Sequence, residues 1–291
     1  MRVTLFLLSA LLTAAAANAQ TEIYDMEDVS GTWTKANSPY IVLGEAIVPD
    51  GQTLTIEPGV EVRFATSEER DYSSDDFEMG ILRVFGTLKA VGSQTDPILF
   101  TRDGRRGQWG CIHIQSGNKK SLIKWCIVEY SHYIQGLVFD PDDESTDNST
   151  GAISFYGSGG RVENCVIRNS WAAINAKNGA SPVIDHCTIV ENEYALESNA
   201  DGPRGTTKIK ASNCILHGNE NGFFITESDG VSLAYTFVDE GQWDDNIEDG
   251  GNNIKKGKDP LFEDMDDENY KLKKKSPCRK KGADRTNMGA Y

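Results

Sequence analysis

The sequence predicts an all-β solenoid of stacked, parallel-stranded coils, and three observations predict it. A set of apolar positions recurs along the chain at solenoid spacing. Apolar and β-branched residues come in short runs bounded by Gly, Asn and Asp, with 28 glycines in all. Periodic stretches of helical length are almost absent.

The register of the repeat comes from four cysteines. They stand in Ile123–Val128, Val162–Ile167, Ile184–Ile189 and Ala211–Leu216, at Cys126, Cys165, Cys187 and Cys214. A fifth copy, Leu233–Val238, carries Thr236 instead. With Cys or Thr as position 0, apolar residues recur at −3, 0 and +2, and at +9 in Ile174, Leu196 and Phe223. Positions 0 and +2 share one face of a strand. Position −3 faces the same way only if the chain bends between −3 and 0, as the corner of a coil requires. Successive zero positions are 39, 22, 27 and 22 residues apart. A coil of that size buries its inward side chains only by stacking on its neighbours, which gives parallel strands. The leucine-dense pattern of the main rival solenoid is missing.

With that register in place, "SPVIDHCTIVENEYALES" (181–198) and "ASNCILHGNENGFFIT" (211–226) resemble turns of right-handed parallel β-helix proteins of the pectin-lyase-like superfamily. So do residues 31–64, 86–101 and 107–114. Residues 259–291 resemble the closing segment of secreted members. The resemblance implies the right-handed parallel β-helix fold. It implies little about activity, because the superfamily includes lyases, hydrolases, adhesins and proteins of other roles.

The chain starts Met1-Arg2, continues apolar to Leu12 and reaches Ala17-Asn18-Ala19, the pattern of a secretory signal peptide. The expected layout is a signal peptide over 1–19 and one β-helix domain over 20–291. Within it, 20–64 form an N-terminal cap and first strands, 131–150 a long acidic loop, and 259–291 the closing segment. No later stretch is long and apolar enough for a transmembrane helix. The expected location is therefore secreted, periplasmic or on the cell surface. A net charge of −15 argues against a nucleic-acid partner. Asn148-Ser-Thr would be a glycosylation acceptor in a eukaryotic setting.

Six cysteines in an exported chain suggest disulfides. The repeat instead places Cys126, Cys165, Cys187 and Cys214 in one inward column of free thiols, packed as small hydrophobes. Cys111 falls in an earlier coil, and Cys278 is read as buried or paired.

One coil departs from the pattern. After Cys126, the residue matching Ile174 is Ile153, at +27 instead of +9. The excursion carries Asp140, Asp142, Asp143 and Glu144, a carboxylate group suited to calcium, set against a plain solvated loop. Two further acidic stretches span 68–78 and 239–249, the second containing Trp243, read as a lid on the end of the core or a sugar-stacking surface. The basic run from Lys271 to Lys281 reads as strand-edge protection or as attraction for an anionic polysaccharide.

Catalytic patterns are incomplete. Val183–Cys187 is partly similar to the W-I-D-H stretch of pectate lyases, with Val183 in place of Trp and no R-x-P-x-x-R segment to supply a base. No Gly-His-Gly accompanies the carboxylates, as polygalacturonase-type hydrolases would require. Asp185, Glu191, Glu163 and Arg168 are candidates to meet on adjacent coils. The reading is a noncatalytic protein that binds a polysaccharide or the cell-envelope surface. The alternatives are a polysaccharide lyase or hydrolase acting on acidic polysaccharide, and a purely structural or adhesin-like role.

Overall fold

The computed structural model describes residues 20–67, 79–115, 120–132, 150–199, 205–226 and 230–291. Three parallel sheets run the length of the molecule and carry ten, eight and nine strands among the described residues. They are called A, B and C here. Up to Asn221–Ile225 each coil contributes one strand to each sheet in turn; after Phe237–Asp239 in sheet A the described chain passes to Ile247–Asp249 in sheet C without a sheet-B strand. The coil of Cys165, for example, places 161–163 in sheet C, 166–168 in sheet A and 172–177 in sheet B. The expected all-β parallel solenoid is the fold observed.

The repeat positions stack as the sequence predicts. Ile153, Ile174, Leu196 and Phe223 are successive partners in sheet B, so the +27 of the first coil and the +9 of the others are the same structural position. Cys126 pairs with Ile98 and stands directly below the coil of Cys165, because Ile127 pairs with Val166. All six cysteines are buried and free. Burial pushes the thiols of Cys165, Cys187 and Cys214 well above their usual pKa, and those of Cys111 and Cys278 up to about 12. Thr236 extends the column, its hydroxyl donating to the Ala234 carbonyl at 3.0 Å.

The predicted bend between −3 and 0 is a single left-handed residue at −1. Trp125, Asn164, His186, Asn213 and Tyr235 have φ between 50° and 56°. Each keeps its ladder bond across the corner; Asn164 N–H, for instance, donates to the Asp185 carbonyl of the next coil at 3.0 Å. A second left-handed corner joins sheet A to sheet B at +4, in Tyr130, Asn169, Glu191 and Gly218. Glycine meets that conformation without strain, and Asn tolerates it better than other side chains.

One position farther, at +5, a polar column lies inside the second corner. Ser131 N–H donates to Ser170 Oγ, Ser170 N–H to Asn192 Oδ1, and Asn192 N–H to Asn219 Oδ1, each at 3.1 Å. The Asn192 amide also donates to the Ile167 and Val190 carbonyls. These bonds satisfy backbone groups that the turn would otherwise leave buried and unpaired.

Residues 21–64 already supply strands to all three sheets. Residues 259–291 lie along the outside of sheet A. Phe262, Tyr270, Leu272, Cys278 and Met288 pack on the outward side chains Val166, Val190, Ile215 and Phe237. Trp243 packs on the end of the core, with Lys255 Nζ 4.2 Å from its ring centre.

Candidate functional site

A groove of about 890 Å³ runs across the second corner, over four coils. It arises because the +4 corner turns the +6 side chains outward in one row: His132, Trp171, Glu193 and Glu220. Gln108, Asn169, Glu191 and Gly218 complete its walls. At about 4.8 Å per coil, the row is about 14 Å long.

The row is aromatic at His132 and Trp171 and carboxylate at Glu193 and Glu220, and its rings continue past the groove onto the strands of Tyr194 and Phe224. His132 and Trp171 are 5.5 Å apart between ring centres, Trp171 and Tyr194 5.7 Å, and Tyr194 and Phe224 6.1 Å. The strip crosses four coils, and Phe224 at its end is 46% exposed. Glu193 and Glu220 lie within hydrogen-bonding reach of each other. Burial, then the Glu220 hydrogen bond and charge, raise the pKa of Glu193, while the amide of Asn221 at 2.9 Å works against the rise. Glu193 and Glu220 thus stand together on the groove wall. They suit accepting hydrogen bonds from a hydroxyl-rich chain stacked on the aromatic strip.

A second polar row stands on the outward face of sheet B. Arg83, His113, Ser154, Asn175 and Glu197 are register partners on consecutive coils, with Lys177 two residues past Asn175. His113, Asn175, Lys177 and Glu197 are buried although they point away from the core. Burial, and then the charge of Arg83, push the His113 pKa down to about 3, so its ring is neutral. Arg83 pairs with Glu45 at 2.6 Å.

The residues singled out from the sequence fare differently. Asp140, Asp142, Asp143 and Glu144 lie outside the described residues, as do the acidic stretch 68–78, Asn148 and the segment 1–19. Among the described residues, no group of three His, Cys, Asp or Glu side chains could hold a metal. Asp239 instead holds His217 Nδ1 and the Gly218 N–H, both at 2.7 Å, and Asp249 pairs with Lys255 at 2.6 Å.

Asp185, Glu191, Glu163 and Arg168 do not form one site. Glu163 and Asp185 are neighbours in sheet C, where Glu163 binds Lys124 and Arg161. Asp185 accepts from Ser212 and Asn213 at 2.8 Å each. His186 is the left-handed corner residue, 3.1 Å from Asp185 and 3.0 Å from the Thr286 hydroxyl. Arg168 lies in sheet A, buried between Glu129, Glu268 and Tyr270, where it fixes the C-terminal segment. Glu191 reaches the groove. Sequence reasoning missed Trp171, Glu193 and Glu220. Their constant offset from position 0 was readable, but the outward direction of +6 is set by the +4 corner.

Residues 104–240 match the family model described as right handed beta helix region. The chain is a right-handed parallel β-helix repeat protein. The matched span holds the coils of Cys126 to Thr236, and with them the whole groove. No curated protein matches the chain. Within this β-helix no described helix is long and apolar enough to cross a membrane.

Proposed function

We propose that this β-helix is an exported, noncatalytic glycan-binding protein whose groove takes an uncharged, hydroxyl-rich polysaccharide. The observation that carries the reading is the aromatic strip His132–Trp171–Tyr194–Phe224 running beside Glu191, Glu193 and Glu220. Sugar rings offer apolar faces to the aromatic side chains and hydroxyl donors to the carboxylates. A uronate chain would place its charges against three carboxylates and is disfavoured there. The pattern of residues 1–19 supports export.

A second reading, lyase or hydrolase chemistry, draws on His113, Lys177 and Glu197, which set a neutral imidazole, a cation and a carboxylate on one outward face. One experiment addresses both. The protein is titrated with neutral, amino-bearing and uronic oligosaccharides, with calcium and with chelator, while unsaturated products and reducing ends are recorded. Binding to neutral chains without product, lost in Trp171→Ala, supports the proposal. Product formation that survives Trp171→Ala and is lost in His113→Gln would replace it with the second reading. A calcium requirement for binding would bring in Asp140, Asp142, Asp143 and Glu144.

A further inference from the structure

We propose that the C-terminal segment carries a second binding site, distinct from the groove, for an acidic polysaccharide. Lys271, Lys273, Lys274, Lys275, Arg279, Lys280 and Lys281 are all exposed. No Asp or Glu occurs between Asn269 and Ala283. None of the seven forms an ion pair with a carboxylate among the described residues. In a protein of net charge −15, seven of the 29 basic residues thus stand together with no carboxylate at ion-pair distance among the described residues, the nearest acidic run being the 263–268 hairpin beside them.

The patch is built, not a loose tail. Leu272, Ser276, Cys278 and Gly282 are buried and face the molecule, which turns the intervening cations to solvent. Lys273 N–H donates to the Leu261 carbonyl at 2.8 Å, and Ser276 Oγ donates to the Pro260 carbonyl at 2.5 Å. Arg279 Nη1 folds back on the Leu272 carbonyl at 3.3 Å. That contact ties the second basic run to the end of the strand that precedes the first. At the far end, Ala283 N–H donates to Asn213 Oδ1 and Ala290 N–H to Thr188 Oγ1, fastening the segment to the coils. The ordering cost that a flexible lysine tail would meet on binding is already met by folding.

The chemistry selects the class of partner. Among the described residues, the exposed large hydrophobic side chains are Tyr24, Met26, Leu43, Val91 and Phe224, and none belongs to the patch. The patch therefore has no apolar wedge for a lipid surface and no stacking platform for nucleic-acid bases. Six of its seven cations are lysines, point charges without the fork that recognises single phosphates. Diffuse, closely spaced positive charge fits a chain with a carboxylate or sulfate on successive sugars. The acidic remainder of the surface repels such a chain and steers it to the segment.

The test measures affinity of the full protein for alginate oligosaccharide, single-stranded DNA and anionic lipid vesicles at 50 and 300 mM NaCl. The variant is Lys273→Gln/Lys274→Gln/Lys275→Gln/Lys280→Gln/Lys281→Gln, with its fold checked by circular dichroism and melting. The proposal expects alginate to bind most tightly. Affinity should drop about tenfold or more in the variant and similarly at high salt, as screened surface charge requires. Trp171→Ala should leave alginate binding unchanged. Equal alginate binding by a folded variant would overturn the proposal, and so would tighter binding of DNA or vesicles, or loss of alginate binding in Trp171→Ala.

Discussion

Asn164 tests the corner on which the coil geometry depends. It holds φ at 53° between sheets C and A, and its N–H bonds to the Asp185 carbonyl at 3.0 Å. A left-handed residue with a Cβ costs about 1–2 kcal/mol, with Asn and Gly largely exempt. Asn164→Gly should therefore stay within about 0.5 kcal/mol of the parent, the easier turn offsetting the freer unfolded chain. Asn164→Ala should lose about 1 kcal/mol and Asn164→Val about 2 kcal/mol, the branched Cβ being worst placed. Asn164→Pro removes both the donor and the dihedral, at a cost of about 3 kcal/mol or more. Urea unfolding followed by circular dichroism gives the order, with the slope checked for constancy because repeat arrays can unfold in parts. Equal stability of the Gly, Ala and Val variants would refute the left-handed corner.

Three other predictions follow from burial and charge. A thiol reagent should label almost none of the six cysteines in the folded protein and all of them in denaturant, since each is buried and free; rapid native labelling of a column thiol would contradict the packing. Acid should weaken the fold through His113. Its folded pKa of about 3 lies below the unfolded ~6.5, so the unfolded state binds the extra proton between those values and stability is lost as pH falls through that window; His113→Gln should flatten that part of the urea-midpoint profile. Glu129→Gln leaves buried Arg168, among the described residues, with only the largely exposed Glu268 as ion-pair partner, and should cost about 3 kcal/mol and speed proteolysis of the C-terminal segment; unchanged protection would show that Arg168 does not hold the segment.

The fold was legible because position 0, +2 and +9 are read directly from Cys126, Cys165, Cys187 and Cys214 and the apolar residues after them. The need for a bend before position 0 was legible too. Its conformation was only partly signalled, by Asn164, Asn213 and His186; Trp125 and Tyr235 occupy the same corner without the usual preference for it. The Ser131–Ser170–Asn192–Asn219 column kept a constant +5 offset that could have been read. The groove was harder, since outward rows align only after both corners are placed. The resting place of residues 259–291 on sheet A was invisible, because that segment opens with an antiparallel hairpin, Phe262–Asp264 with Asn269–Leu272, outside the repeat.

The most direct test of the central claim compares the affinity of the parent protein and Trp171→Ala for a neutral β-linked glucan oligosaccharide by calorimetry. Loss of one central stacking Trp is expected to cost about 2 kcal/mol, roughly 30-fold in Kd, with no product formed. Equal affinity in the two proteins, or no binding by the parent to any neutral glycan, would contradict the groove as a glycan site.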